Sequence, residues 1–265
     1  MHRNIKPGLW AGLCFGMIAL HGAMPCAYAE QREVEATPYR PTVSNPADLP
    51  VPGWLEVEMG WQRINGGGDK RRDSVPALAK LAFSEDWGVL VGSELGVRRT
   101  DPDNNRSTGF GDTTLLLKHR IPSGSEGSAW GIEAGFKSPT AKDTIGSGKA
   151  DYIVNGIYSS DFAKNHLDLN LNAAYIGAIA AGEGRAQYGW AAAISHSLDD
   201  QWGVFGELSG TTRRGTSSTA QFMAGASYNY SKRVVFDAGG AWGLNSASQD
   251  WTLFAGVTVL LGQLW

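Results

Sequence analysis

The sequence predicts an all-β protein, a transmembrane antiparallel up-and-down β-barrel of about twelve strands. Three observations predict it. Apolar residues recur with a period of two, and no stretch from Gly53 to Trp265 sustains the i, i+3, i+4, i+7 spacing of an amphipathic helix. One face of these runs carries Glu, Lys, Asp, Arg and Asn beside many glycines, while the other carries bulky apolar and aromatic side chains. A water-soluble barrel would place its apolar face inside, so this distribution suits a wall between lipid and a wet lumen. Connections also alternate between tight and long, with aromatic residues gathered at strand ends. A soluble sandwich with one wet face is the alternative that alternation alone would allow.

Composition agrees. Among 265 residues there are 35 Gly, 10 Trp, 8 Tyr and 9 Phe, a mixture suited to strands joined by turns. A mean hydropathy of -0.22 excludes a polytopic helical membrane protein, since each helical span needs about 20 mostly apolar residues. A hydrophobic share of 42% excludes a disordered chain. The net charge of -3 leaves no basic surplus for nucleic acid.

Residues 1–29 read as a signal peptide. Arg3 and Lys6 precede an apolar run from Leu9 to Leu20, and Ala27-Tyr28-Ala29 offers a small-x-small cleavage site after Ala29. The run is too short to span a bilayer; a short N-terminal anchor helix is the alternative. Cys14 and Cys26 both lie here, so the mature chain would hold no disulfide, thiolate metal site or cysteine nucleophile. Losing Arg3 and Lys6 takes the net charge from -3 to -5. Residues 30–52 follow with Pro38, Pro41, Pro46, Pro50 and Pro52, a density that prevents helix and ladder formation. This segment is expected as a tether or an extended periplasmic strap lying against a barrel formed by residues 53–265, and the sequence leaves open whether it plugs the periplasmic mouth.

The strands then come in order. Leu55–Trp61, Trp87–Val97, Thr113–Ile121, Trp130–Phe136, Leu167–Tyr175 and Trp251–Leu261 alternate clearly. Weaker runs at 74–83, 150–160, 185–197, 202–212, 218–230 and 233–243 complete the set, each near the length of a tilted spanning strand. Tight connections fall at Ser84–Asp86, Asp161–Asn165, Leu198–Gln201 and Ser231-Lys232, with Pro122–Ser128 somewhat longer. Longer ones fall at Asn65–Asp73, Arg99–Thr108, Pro139–Lys149, Ala178–Gly184, Arg213–Ser217 and Asn245–Gln249. On the apolar face, Phe83, Trp87, Trp130, Tyr158, Trp202, Tyr228 and Trp265 fall at the short-turn end. Trp61, Tyr175, Tyr188, Trp242 and Trp251 lie towards the long-loop end, so the two sets form a pair of aromatic girdles. The final alternating strand closes on Trp265 and is similar to the assembly signal of bacterial outer-membrane proteins, with Gln263 as a departure on the lipid-facing parity.

The segments Thr37–Ala47, Pro52-Gly53-Trp54-Leu55-Glu56 and Gly109-Phe110-Gly111-Asp112-Thr113 through Lys118 resemble the outer-membrane transporters named for the meta-pathway of phenol degradation. The resemblance covers most of the mature chain and is specific at those three stretches. It implies a bacterial outer-membrane barrel of about this strand number and a role in uptake of small organic solutes, aromatic ones among the candidates.

Polar parity places Glu56, Glu58, Lys80, Glu94, Arg98, Asp112, Lys118, Arg120, Glu133, Lys137, Asp151, Asp168, Glu207 and Asp237 in the lumen. Opposed charges across a pore tune the passage of polar or weakly ionic solutes. Alternatively they pair into bridges that brace a filled structural barrel. An outer-membrane lipase would need Ser and His facing one another. Ser195 and Ser197 flank His196 and so face the opposite side, and His119 and His166 have no hydroxyl at i±2. No enzymatic activity is expected.

Asp101, Asp103 and Asn105 imitate a calcium loop, but Arg106 stands where the turn needs glycine. Gly146-Ser147-Gly148-Lys149 lacks the distal glycine and hydroxyl of a phosphate loop. No metal or cofactor is expected. Lys70, Arg71, Arg72, Arg98, Arg99, Arg106, Lys142, Lys149, Arg213 and Arg214 lie near the long-loop end, where lipopolysaccharide phosphates or plain water would satisfy them. The expected partners are outer-membrane lipid and lipopolysaccharide, the barrel-assembly machinery through the last strand, and a small organic solute, with no nucleic acid.

Overall fold

A computed structural model of the chain describes residues 33–265; the expected signal peptide, with Cys14 and Cys26, lies outside them. The described residues form thirteen strands and no helix. They are β1 (Trp54–Gly66), β2 (Arg71–Ala82), β3 (Trp87–Thr100), β4 (Arg106–Gly109), β5 (Thr113–Pro122), β6 (Ser128–Ser138) and β7 (Asp151–Phe162). There follow β8 (Asn165–Tyr175), β9 (Ala186–Ser197), β10 (Trp202–Arg213), β11 (Thr219–Ser231), β12 (Val234–Gly243) and β13 (Gln249–Gln263).

All but β4 form a closed antiparallel barrel of twelve strands, each paired with its chain neighbours and β13 returning to β1. Closure leaves no row of unpaired backbone groups, as a wall in lipid requires. Alternation sets the two faces. In β6, Ala129, Gly131 and Glu133 are buried while Trp130, Ile132 and Ala134 are exposed.

At the seam the pairing runs from Trp54↔Gln263 to Gly66↔Gln249. Gly53 turns the chain into β1 at φ 78°, and a Cβ there would lie 2.9 Å from the Trp265 carbonyl oxygen. Leu264 N–H also donates to the Gly53 carbonyl at 2.7 Å, so this position accepts glycine alone without strain.

Two long loops are shorter than the sequence suggests. Of the expected loop Asn65–Asp73, only residues 67–70 are a turn, because Asn65↔Arg71 and Ile64↔Arg72 continue the β1–β2 ladder. Of Arg99–Thr108, much pairs as β4 against the end of β3, from Val97↔Gly109 to Thr100↔Arg106. In both places polar side chains look loop-like in sequence, yet the backbone groups beneath them still find ladder partners.

One irregularity re-aims a residue. Ser74 pairs with Val97, but Pro76 pairs with Glu94, so β3 carries one extra residue in that interval. Pro76 cannot donate to a ladder, and a bulge beside it is the common accommodation. Beyond the bulge the parity of β3 inverts: Val97 is buried and Arg98 exposed.

Residues 33–52 form no strand of their own. They enter from the short-turn end, where Ala36 N–H donates to the Lys232 carbonyl at 2.7 Å, and rise to mid-barrel. They descend again to Gly53, whose N–H meets the Ala82 carbonyl at 2.8 Å.

Candidate solute path in the barrel lumen

The wall supplies the charges that hold the rising arm of this strap. Glu56 and Glu58 share a face of β1 and accept backbone N–H groups: Thr37 to Glu56 at 2.8 Å, Tyr39 and Arg40 to Glu58 at 2.7 and 3.0 Å. Lys80, opposite Glu56 on β2, reaches both carboxylates at 2.6 and 2.5 Å. All three side chains are fully buried, where an unpaired charge would be costly. The Tyr39 ring lies between Lys80 Nζ at 3.7 Å and Lys118 Nζ at 4.1 Å, two cation–π contacts in a desolvated place. Its hydroxyl donates to the Asp48 carbonyl at 2.5 Å, tying the rising arm to the descending one.

Arg40 is held by a notch. Gly60 and Gly256 face each other across the seam, and a Cβ on either would come within 2.5 Å of the Arg40 guanidinium. On the next strand, Asp237 accepts from Arg40 Nε at 3.2 Å. Two glycines and one carboxylate thus form a seat for one side chain.

The apex spans the lumen. Ser44 donates its N–H and hydroxyl to Glu207 of β10 at 2.8 and 2.9 Å. Asn45 binds Asn170 of β8 through its N–H at 3.0 Å and Glu133 of β6 through its side-chain amide at 3.0 and 3.1 Å. On the descent, Lys118 donates to the Pro46 carbonyl and pairs with Glu133 at 3.1 Å. Ala47 N–H donates to Ser159 at 2.7 Å, and Asp48 pairs with Arg120 at 2.7 Å.

The strap separates two cavities. The one towards the long loops, about 360 Å³, is lined by Asn172, Ser209, Thr211, Gln221 and Gln249 with Leu116 and Ile153; Val43 and Asn45 of the strap and Glu133 form its floor. Val43 stands 56% exposed at that floor. The other, about 260 Å³, opens towards the short turns beneath Arg40 and Pro41 and is lined by His166, Asp168, Ser195, Phe205, Ser227 and Asp237.

The other candidate residues sort by height. Asp168 accepts from Ser159 at 2.5 Å and lies 3.0 Å from His166 Nε2, near the short-turn end. At the long-loop rim, Glu94 pairs with Arg72, and Lys137 bridges Asp151 at 2.6 Å and Asp112 at 3.5 Å. Arg98 is the exception. Alternation assigns it to the lumen, but the bulge in β3 turns it to the outer face, opposite Asp73.

Several of the aromatic candidates form tilted cross-strand pairs on the outer face. Trp130 and Tyr158 are 4.7 Å apart, and Trp202 and Tyr228 are 4.8 Å apart. Trp87 stacks on His119 at 4.1 Å. Sequence reasoning missed the strap residues as lumen groups. Tyr39, Arg40, Ser44 and Asn45 sit in a proline-rich run, and such a run gives no parity from which to place a side chain.

Ser159, Asp168 and His166 cluster, but the carboxylate stands between the other two. A histidine base must stand between serine and carboxylate, so this order cannot activate Ser159. His196 Nδ1 faces Asn165 at 2.9 Å. The Asp101 carboxylate accepts from Asn105, through its N–H at 2.8 Å and its amide at 3.0 Å, closing a turn.

The fold is therefore a closed antiparallel barrel with an apolar exterior, a polar interior and an internal segment. Residues 53–261 match the family described as "Putative MetA-pathway of phenol degradation", and the chain belongs to that family. No curated protein matches the chain. Among solved structures it is similar to the KdgM porin in complex with disordered oligogalacturonate, at 11% identity and TM-score 0.54, over 78% of this chain and 99% of that one. It is also similar to the NanC porin, at 8% identity and TM-score 0.56, over 78% of this chain and 100% of that one. At these identities the likeness is one of fold.

Proposed function

We propose that the protein is an outer-membrane channel for passive uptake of small organic solutes, aromatic ones among the candidates, and that residues 33–52 close its lumen at rest. The observation that carries this reading is the pair of cavities on opposite sides of one strap. A barrel filled for stability alone has no use for a vestibule at each end.

The outer vestibule also narrows the solute. Its polar groups are mostly amides and hydroxyls set among Leu116, Ile153 and Val43. Such a surface suits an uncharged solute with hydroxyl groups on an apolar body, since each exposed donor or acceptor finds a partner without desolvating an ion. The family and the fold support the outer membrane as the location; export by the N-terminal segment and assembly through the last strand complete the proposed reading. The order Ser159–Asp168–His166 supports a reading without catalysis.

The test is permeation in proteoliposomes by the full-length protein and by Arg40→Ala/Glu207→Ala, which loosens the strap at its seat and apex. The expected result is faster entry of neutral hydroxylated solutes in the variant. Impermeability of both proteins to every small solute would favour the filled structural barrel, for which the saturated pairing of Lys80 and Lys118 already speaks.

A further inference from the structure

The outer wall at the long-loop end bears a groove of about 560 Å³ whose lining includes Trp61, Arg63, Arg71, Asp73 and Arg98. Asp73 accepts from Arg63 Nε at 2.6 Å and from Arg71 Nε at 2.7 Å. Arg98 stands opposite Asp73 in the ladder and has no ion-pair partner among the described residues. Three guanidinium groups from three adjacent strands thus surround one carboxylate, leaving two positive charges in surplus. By contrast, Arg72 pairs with Glu94 and Arg99 with Asp69 at 2.5 Å on the lumen side of the same strands. The bulge in β3 creates the difference. Without its extra residue Arg98 would point into the lumen, and bulges commonly serve to re-aim a side chain.

The height of the groove is set by Trp61. Aromatic rings on the outer face mark the boundary between hydrocarbon and headgroups. Arg63 lies two residues further along the same face, its Cα about 7 Å beyond that of Trp61 by strand geometry, with its guanidinium 5.4 Å from the ring centroid. The cations therefore sit at headgroup level, at the end of the barrel whose longer loops face outward in such proteins. Leu95 and Phe110, 47% and 67% exposed, border the groove with apolar surface.

We propose that this groove binds the phosphorylated headgroup of lipopolysaccharide, with Arg63, Arg71 and Arg98 donating to phosphate oxygens and Leu95 and Phe110 meeting the acyl chains. Guanidinium forks match phosphate oxygens in geometry as well as charge. Convergence of three strands suits a headgroup with two phosphates better than a phospholipid with one.

The experiment titrates the folded, detergent-solubilised full-length protein with lipid A bearing two phosphates, with dephosphorylated lipid A, and with phosphatidylglycerol. Wild-type protein is expected to prefer the diphosphorylated form. Arg63→Gln/Arg71→Gln/Arg98→Gln should weaken that binding by about tenfold or more, the scale of losing charge-assisted hydrogen bonds, whereas Arg185→Gln, in the loop between β8 and β9, should not. Equal binding of dephosphorylated lipid A or of phosphatidylglycerol by the wild type overturns the proposal, as does undiminished binding by the triple variant. Heat-modifiable gel migration reports folding. Should the triple variant fail to fold, the wild-type preference among the three lipids decides alone.

Discussion

At the level of Glu207 and just below it the strap crosses the lumen, and almost every wall charge there meets a strap atom or another charge. Above it the same twelve strands enclose a vestibule lined with amides and hydroxyls, its ion pairs confined to the rim. The wall is continuous through both regions, so the difference lies in what the wall faces. Where a second segment must be held, the strands present Glu56, Glu58, Lys80, Lys118, Glu133 and Glu207; where water or a solute is faced, they present Asn172, Ser209, Thr211 and Gln221. Charge in this lumen is a means of holding the strap, and its opposed lysines and glutamates do not line an open transverse field.

Removing the strap should break that contrast most completely. Excision of residues 36–50 is expected to join the two cavities and convert a low, fluctuating conductance into a steady open level in planar bilayers. The barrel itself should persist, since water would then reach Glu56, Glu58 and Lys80. Next in size, Lys80→Met leaves two buried carboxylates without their cation. A loss of about 3–5 kcal/mol is expected, read as a lower urea midpoint for unfolding. Glu207→Ala removes the acceptor of both Ser44 bonds and should weaken strap docking by about 1.5–3 kcal/mol, seen as faster hydrogen exchange at the apex with the wall strands unchanged. Smallest in stability is a change in the vestibule. Gln221 donates to Ser209 at 3.1 Å, and Gln221→Leu should alter stability by about 1 kcal/mol or less. It should instead shift the relative permeation rates of hydroxylated and non-hydroxylated solutes in liposome entry assays. If Gln221→Leu proved as destabilising as Lys80→Met, the two halves would not differ in the way described.

Much of the fold was legible because a barrel wall is a local code. Alternation over β6 or β13 states which side faces lipid, and the twelve barrel strands fall close to the expected runs. The code fails wherever local pattern and backbone pairing part company. Arg98 was misplaced because a single extra residue in β3 inverts every side chain beyond it, and Pro76 hints at this only once the pairing is known. The loops at 65–73 and 99–108 read longer in sequence than they are, because polar composition does not reveal the ladder bonds of the backbone beneath it. The lumen charges were located by parity, but their partners were not. Arg40 meets Asp237 and Ser44 meets Glu207 across sequence separations of 197 and 163 residues, which no periodicity encodes. The glycines of the Arg40 seat were equally opaque, because Gly60 and Gly256 read as turn formers or fillers until the guanidinium between them is seen.

The strap's bonds also divide by how far the chain must travel to make them. Those from Thr37, Tyr39 and Arg40 to Glu56 and Glu58 span only 18 or 19 residues and can form as soon as the first hairpin exists. Those to Asp237 and Glu207 must await the arrival of late strands, whose loop-closure cost is the larger. The seat for Arg40 completes itself only when Gly256 lies opposite Gly60, which is the register of the closing seam. A barrel zipped one residue out of step would offer that guanidinium the wrong wall. The segment that crosses the lumen is thus fully seated only in a barrel whose last strand has met the first in step.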